Sequence, residues 1–252
     1  MLKREQRAAR GTVRSPLTLL EREWLLRPGQ VRPGIPLSSE RKVISDDGKG
    51  AKQVEYWFRG KLVGRAAWER GEIGRVEALR GGRRHGYRFE YAWGFMDYAE
   101  PYRNGQLHGW SKQYDQKCRL IFECPFRDGT GVDYFVHDNG ELSESHPCLR
   151  GELHGVQQWC AGPNAVYEET HFQRSKQHGP RRYWRNGVLE PGYPEFFVND
   201  RKVSKAAYVK ASARDRTLPQ YRVEDDFPAR ELPAEFIRLR KRMERKSTRK
   251  RA

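Results

Sequence analysis

The residues best suited to chemistry in this chain are histidines that recur in the pair His-Gly. The pair occurs at His85, His108, His154 and His178. Imidazole transfers protons near neutral pH and ligates metals, so four such rings would make a metal or acid–base centre if the fold brought them together. They occupy equivalent positions of a sequence repeat, however, so about one period of stacked hairpins separates each ring from the next. We therefore expect each ring to bond a local backbone group or to pack on an aromatic ring. The isolated His137, His146 and His171 are interpreted in the same way.

Two acidic pairs and one glycine-rich segment are the remaining candidates for catalysis. Glu168-Glu169 and Asp225-Asp226 have the carboxylates that general acid–base catalysis needs, but we expect them in solvated turns or at strand ends. Gly129-Thr130-Gly131 is a fragment of a phosphate loop and fits better as a shortened repeat turn. The sequence has no G-x-S-x-G, H-E-x-x-H or Walker A motif. We predict no enzymatic activity, no cofactor and no small-molecule substrate.

The cysteines do not indicate a metal site. Cys118, Cys124, Cys148 and Cys160 include no C-x-x-C pair, which a structural zinc site would normally show. Their spacing leaves disulfides open, although reduced thiols fit a chain without a recognisable secretion signal. We expect small, half-buried side chains and no bound metal.

The His-Gly pairs belong to a repeat of about 23 residues. The intervals between their glycines are 23, 46 and 24 residues, and Gly131 lies where the missing member would fall. One period before Gly86, the chain has Gly64. We expect the following residues to have a structural role in the repeat turns: Gly60, Gly64, Gly82, His85, Gly86, Asn104, Gly105, His108, Gly109, Gly151, His154, Gly155, His178, Gly179, Asn186 and Gly187.

Each repeat has the pattern of a β-hairpin. Asn-Gly pairs tolerate the positive φ that tight hairpin turns require. After one such turn, the alternation of Leu120, Phe122, Cys124 and Phe126 with polar residues predicts a strand with one apolar face. A single hairpin cannot bury that face by itself. The sequence therefore predicts a mainly β fold: a single-layer, twisted antiparallel meander of stacked β-hairpin repeats with short flanking α-helices.

Two segments carry a resemblance to a known repeat. Y-R-N-G-Q-L-H-G-W at 102–110 and R-G-E-L-H-G-V-Q-Q-W at 150–159 resemble the variant MORN repeat of bacterial antitoxin-like proteins. W-R-N-G-V-L at 184–189 is similar to the second half of the same unit. The resemblance covers about residues 54–200, and the chain departs from it at Val63, at Thr130-Gly131 and at Ser175. It implies a β-hairpin array with an interaction role, in some cases that of an antitoxin, and it does not imply an enzyme.

Composition divides the chain into segments. They are a basic arm (1–14), a short helix with a Pro-rich linker (15–40), the repeat domain (41–200), a capping helix (201–216), and coil with a basic C-terminal tail (217–252). The first helix would begin at Ser15 and end before Gly29. The first hairpin could start at Arg41 or at Gln53, and Ser204 is suited to cap the second helix.

Most of the positive charge lies at the two ends of the chain. The net charge is +16; residues 1–14 carry +4 and residues 238–252 carry +8, which leaves +4 for residues 15–237. Such basic runs attract nucleic acid or anionic membrane surfaces, but they also occur as solvated tails. The candidate residues for contacts with phosphates are Arg238, Arg240, Lys241, Arg242, Arg245, Lys246, Arg249, Lys250 and Arg251.

These observations favour an interaction protein. We predict a non-catalytic scaffold that binds another protein through its β-sheet, with a toxin-like partner and a bacterial cytoplasmic setting as the resemblance implies. The alternative is a nucleic-acid-associated protein that contacts phosphates through its basic termini, and a weaker one is peripheral membrane attachment. Charged residues interrupt the most apolar segment, 17–26, so we predict no membrane-spanning helix.

Overall fold

The computed structural model describes residues 15–16, 34–92, 95–162 and 165–249. The chain divides between Gly105 and Gln106 into two compact units. The predicted fold class is confirmed in both: each is an antiparallel meander of β-hairpins, and short helices follow at the C-terminal end. Within the described ranges, no helix has the length and apolarity needed to cross a membrane.

In the first unit, successive strands pair with their neighbours in sequence order. They are β1 (Ser15–Pro16), β2 (Glu40–Asp46), β3 (Lys52–Phe58), β4 (Lys61–Glu69), β5 (Glu72–Arg80), β6 (Arg83–Ala92) and β7 (Phe95–Arg103). The first hairpin is formed by β2 and β3, so it begins at the earlier of the two predicted positions. Ser15–Pro16 is a strand that pairs with β2 and not the start of a helix. The rest of that predicted helix, 17–29, lies outside the described residues, as does the basic arm 1–14.

The strands of the first unit bury one row of small and apolar side chains. Val54, Ala66, Val76, Phe89 and Ala99 lie opposite one another on successive strands, and each is at most 4% exposed. Because side chains alternate along a strand, the residues between them face the other side of the sheet. Burial of this row therefore fixes the register and determines which charged residues share the second face.

The repeat turns have the backbone conformation that their sequence predicts. In each, both central residues have positive φ, for example 53° at Asn104 and 91° at Gly105. This is the type I′ turn, whose twist matches that of a two-stranded hairpin. The same conformation occurs at 59–60, 81–82, 128–129, 150–151, 174–175 and 199–200. Gly64 has a different role: a Cβ there would lie 2.4 Å from Cδ1 of Ile35, so only glycine allows this approach.

The second unit continues the same hairpin pattern and adds the helices. Its strands are β8 (Gln106–Leu107), β9 (Gly109–Tyr114), β10 (Leu120–Arg127), β11 (Thr130–Val136), β12 (Leu142–Leu149), β13 (Glu152–Leu153), β14 (Gly155–Gly162), β15 (Ala165–Gln173), β16 (Lys176–Arg185), β17 (Val188–Leu189), β18 (Glu195–Val198) and β19 (Arg201–Val203). Helix α1 spans Lys205–Ser212 and helix α2 spans Ala234–Arg249, with one 3₁₀ turn at Val223–Asp226. The Ser204 side chain caps α1, as predicted, by accepting from the amide of Ala207.

Helix α2 completes the core of the second unit. Phe236 is fully buried, with its ring centroid 5.3 Å from that of Phe122 and 5.4 Å from that of Tyr134. Leu239, one turn later, is also buried. The prediction of coil and a basic tail over 217–252 is therefore wrong for residues 234–249. Their apolar positions were visible in the sequence, but the basic residues around them gave the segment the composition of a tail.

Candidate interaction surfaces

Hydrogen bonds between successive repeat turns run along one end of the strands. In the first unit the amide of Gly105 donates to the carbonyl of Arg84, and in the second unit Gly151 donates to Gly129 at 2.8 Å. Equivalent bonds join Gly129 to Leu107, Ser175 to Leu153 and Asp200 to Gln177. Each of these five turns thus binds the preceding turn on the same side, one repeat earlier.

The His-Gly histidines belong to this network of turns. Nδ1 of His85 accepts from the amide of Asn104, and Nδ1 of His108 accepts from that of Asp128 at 3.2 Å. In the shortened turn that lacks a histidine, the Thr130 hydroxyl accepts from the amide of Arg150 instead. These two rings thus bond backbone amides, as expected, but the amides belong to the turn of the next repeat and not to the ring's own turn. His154 differs, since its Nδ1 is buried and has no hydrogen-bond partner among the described residues.

His178 is the most buried of these rings. Its Nδ1 accepts from the amide of Asn199, while Nε2 lies 3.0 Å from the hydroxyl of Thr217, which in turn bonds Asp215. The arrangement fits a neutral ring that carries its proton on Nε2. Burial lowers the pKa of the His178 imidazole, and the carboxylate of Asp215 opposes this only in part.

We expect the second unit to lose stability in mild acid through His178. Because the pKa of His178 is lowered in the folded state, the stability that the neutral ring contributes is complete above pH 6.5, the ordinary pKa of histidine. That stability is lost as the pH falls below 6.5. Urea unfolding between pH 8 and pH 5 should show a steeper loss for the wild type than for His178→Asn, whose amide oxygen can still accept from Asn199. His137→Asn, at an exposed ring, should keep the wild-type slope. Equal slopes in all three proteins would contradict this role.

The second face of the first unit carries a row of charges that alternate in sign. Across β2 to β7, each member of the row lies opposite the next. The row consists of Lys42, Glu55, Arg65, Glu77, Arg88 and Glu100. Arg88 and Glu100 form an ion pair of 3.0 Å, and Arg65 lies 3.6 Å from Glu55. Opposite charges on neighbouring strands stabilise the register of the sheet.

The most exposed charges along this row are positive. The Arg65 side chain is 53% exposed and its partner Glu55 only 19%. Arg84, which lies outside the row but pairs with Glu77, is 39% exposed and Glu77 only 13%. Arg75 on the neighbouring row is exposed as well. The carboxylates therefore lie beneath the guanidinium groups, and an approaching molecule meets mainly cations.

A shallow groove of about 370 Å³ opens on the same face. Its lining includes Ala67, whose short side chain leaves the space open, and Ile44, which is 46% exposed. Arg65 and Arg75 border it together with Glu55 and Glu77. We call this surface the first-unit groove. It combines an apolar floor with a border whose most exposed charges are the guanidinium groups, which suits an extended chain that carries both apolar and acidic groups.

The acidic pairs are held by arginines. In the second unit, Arg182 is only 2% exposed and binds Glu169 at 2.9 Å and Asp226 at 3.0 Å. Arg230 binds the other oxygen of Glu169 at 2.9 Å, and Glu168 pairs with Arg181. The prediction that these carboxylates are solvated is wrong for Glu169, whose side chain is 5% exposed. Ion pairing in place of solvation is the physical reason that it is tolerated there.

The protonation of Glu169 is set by its neighbours. Burial by itself would raise the pKa of this carboxyl, but the imidazole of His171, whose Nε2 lies 3.5 Å away, and a hydrogen bond from Arg230 outweigh it and hold the pKa far below 4.5. A carboxylate that stays ionised at every ordinary pH does not exchange protons in catalysis. We interpret the cluster as a structural link between the sheet and the segment around 226–230.

The basic residues of α2 divide into two groups. Arg242 lies 3.9 Å over the Trp110 ring and 3.3 Å from the buried carboxylate of Glu123, so it takes part in packing. Arg240 lies over the Phe236 ring. Arg238, Lys241 and Arg245 are exposed. Lys246 and Arg249 belong to the helix, and Lys250 and Arg251 lie outside the described residues. That these residues contact phosphates stays a prediction.

The structure also locates the cysteines. All four thiols are free, with Cys124 and Cys160 buried. Burial raises the pKa of the Cys160 and Cys148 thiols to about 11, so both stay protonated at neutral pH. In the described ranges, no three His, Cys, Asp or Glu side chains come together as a metal site.

Sequence reasoning missed the alternating charge row and Glu123. A signal for the row was present: charges of alternating sign recur every 10 to 13 residues from Lys42 to Glu100, about half of the repeat period. Glu123 gave no such signal, because its partner Arg242 is far away in sequence. Compared with known proteins, the chain matches no protein-family model and no curated sequence.

Proposed function

We propose that the protein is a non-catalytic repeat scaffold that binds a protein partner through the first-unit groove. The observation that carries this proposal is the open sheet face on which Arg65 and Arg75 border an apolar floor at Ala67. The resemblance to variant MORN repeats supports an interaction role and adds a finer proposal: the partner is toxin-like and the protein acts as its antitoxin.

The charges on this face indicate what kind of segment binds there. Because the guanidinium groups are exposed and their carboxylate partners are withdrawn, an acidic segment is favoured over a basic one. An apolar side chain of that segment would occupy the space over Ala67, and its carboxylates would meet Arg65 and Arg75. The binding energy would come from desolvating a few such contacts and not from the whole face.

Filling the groove tests the proposal. We expect Ala67→Trp to weaken partner binding at least tenfold, because the indole would occupy the floor, and Arg75→Glu to weaken it through like charge. Val188→Trp is the matched control, since Val188 is 69% exposed on a strand of the second unit. The measurement is affinity purification with the wild type, followed by titration calorimetry of the isolated partner with each variant.

Two results would contradict the proposal. A partner whose affinity is unchanged by both Ala67→Trp and Arg75→Glu binds elsewhere on the protein. The groove is also excluded if Val188→Trp weakens binding as much as Ala67→Trp does. Circular dichroism of each variant shows whether its fold is retained.

A further inference from the structure

The repeat turns of the first unit concentrate positive charge at one end of its strands. Three turns meet there, at 59–60, 81–82 and 104–105, since consecutive strands are antiparallel. We call the residues that form and flank them the repeat-turn rim. It carries Arg59, Lys61, Arg80, Arg83 and Arg103, all exposed, and the segments 58–61, 80–83 and 103–105 contain no acidic residue.

The opposite end of the same strands lacks this excess of positive charge. Its described turns and the residues that flank them carry Asp46, Asp47, Glu69 and Glu72 against Lys49, Lys52 and Arg70. Positive charge in the first unit is therefore concentrated at one end of the strands. A linear polyanion would be attracted to the rim more strongly than to the other end.

The rim also contains a contact that is unfavourable without an anion. Arg80 and Arg83 lie directly opposite each other across the Gly81-Gly82 turn. Like charges in this position destabilise a hairpin. No carboxylate of the described residues forms an ion pair with either of them, and both are exposed. A bound phosphate would remove the repulsion.

The spacing of the turns suits a polymer. Turns at the same end are two strands apart, about 9.6 Å, so three of them extend over about 19 Å. A nucleic-acid backbone presents phosphates along that whole length. Arginine is well matched to phosphate, since its planar guanidinium donates two parallel hydrogen bonds.

From these observations we infer that the repeat-turn rim of the first unit binds the phosphodiester backbone of nucleic acid, without reading its sequence. The rim carries cations but presents no strand or helix that could enter a groove to read base edges. This inference is independent of the first-unit groove.

Helix α2 is the competing site, and the structure favours the rim over it. Arg242 and Arg240 of α2 are engaged with aromatic rings, and Arg238 pairs with Glu235 at 3.4 Å. In the rim, Arg59 lies over the Phe58 ring, but Arg80 and Arg83 have no such partners among the described residues. These two guanidinium groups lie directly opposite each other and can bind one phosphate together, which is the feature that favours the rim.

Charge reversal in the full-length chain tests the inference. The rim variant is Lys61→Glu, Arg80→Glu and Arg83→Glu, and the matched control is Arg238→Glu, Lys241→Glu and Arg245→Glu, which changes net charge by the same amount. Binding is measured by fluorescence anisotropy with a 20-base-pair DNA duplex, an RNA duplex and a single DNA strand. Salt is varied from 50 to 200 mM.

If the wild type contacts up to five duplex phosphates, its affinity should fall by about 500-fold over this salt range, whereas the rim variant, with two contacts left, should lose only about 12-fold. The control variant in α2 should keep the wild-type dependence of affinity on salt concentration. The three probes show whether the rim prefers DNA or RNA, and duplex or single strand. If the glutamate variant does not fold, a variant with glutamine at the same three positions should still show a weaker dependence of affinity on salt than the wild type.

The inference fails if the wild type binds none of the three probes, or if it binds phosphatidylserine vesicles instead. It also fails if both variants weaken binding equally, since that would reflect net charge alone. Weakening by the α2 variant only would assign the phosphate contacts to the C-terminal helix.

Discussion

Replacing Phe236 with alanine is expected to lower the unfolding free energy of the second unit by about 3–5 kcal/mol. The ring is fully buried between Phe122 and Tyr134, and it is the residue that fixes helix α2 on the sheet. The cavity left behind would be lined by aromatic rings that cannot close it without moving their strands. Urea unfolding followed by fluorescence measures the effect.

Ile237→Ala is the matched control for this prediction. Ile237 is the next residue of the same helix and is only partly buried, so its loss should cost about 1 kcal/mol. Equal effects of the two substitutions would contradict the packing of α2 on the core. The helix would then be an appendage that does not pack on the sheet.

Replacing Arg182 with alanine is expected to cost about 3 kcal/mol, because it removes one partner from the buried carboxylate of Glu169, which keeps Arg230, and one from the half-buried carboxylate of Asp226. Arg181→Ala provides a close comparison. Arg181 is adjacent in sequence and pairs with Glu168, but it is 33% exposed, so the loss should be at most about 1 kcal/mol.

The cost of Arg182→Ala should also depend on pH. The pKa of Glu169 is held below 4.5 in the folded state, so the stability that ionisation contributes is complete above that pH and is lost as the pH falls toward the lowered value. Loss of Arg182, which binds Glu169 at 2.9 Å, should let the folded variant protonate Glu169 at a higher pH than the wild type, so the difference in stability between the two should shrink from pH 7 to pH 3. A difference that stays constant, or that is no larger than for Arg181→Ala, would contradict the role of this cluster.

The hairpin architecture could be predicted from the sequence because its determinants are local. Two central residues fix each turn, and alternation along a strand fixes its buried face. The turn network shows the limit of a literal motif: Thr130 replaces histidine, yet its hydroxyl accepts the same kind of amide hydrogen bond. The physical requirement is an acceptor at that position, which more than one residue type can supply.

What could not be predicted depends on residues that are distant in the chain. Arg242 contacts Trp110 and Glu123 only after α2 has packed on the sheet. The net charge of residues 15–237 is only +4 in the sequence, and the concentration of positive charge at one end of the first-unit strands follows only from the register of the sheet. The first-unit groove likewise forms only when neighbouring strands pair, so no local sequence motif indicates it.

The packing of α2 also determines which experiments are informative. Removing the residues after Phe227 would take away Phe236 and Leu239 and uncover the core of the second unit. Such a truncation would confuse loss of charge with loss of fold. Charge reversal at exposed positions avoids this problem, because it leaves the apolar side of the helix intact.

The most direct test of the proposed function is hydroxyl-radical footprinting of the wild-type protein with and without its isolated partner. This method reports the exposure of individual side chains. The proposal predicts that oxidation of Ile44, now 46% exposed at the groove, falls several-fold in the complex, while Val188 of the second unit is unaffected. Unchanged oxidation of Ile44, with protection at Val188 instead, would contradict binding at the first-unit groove.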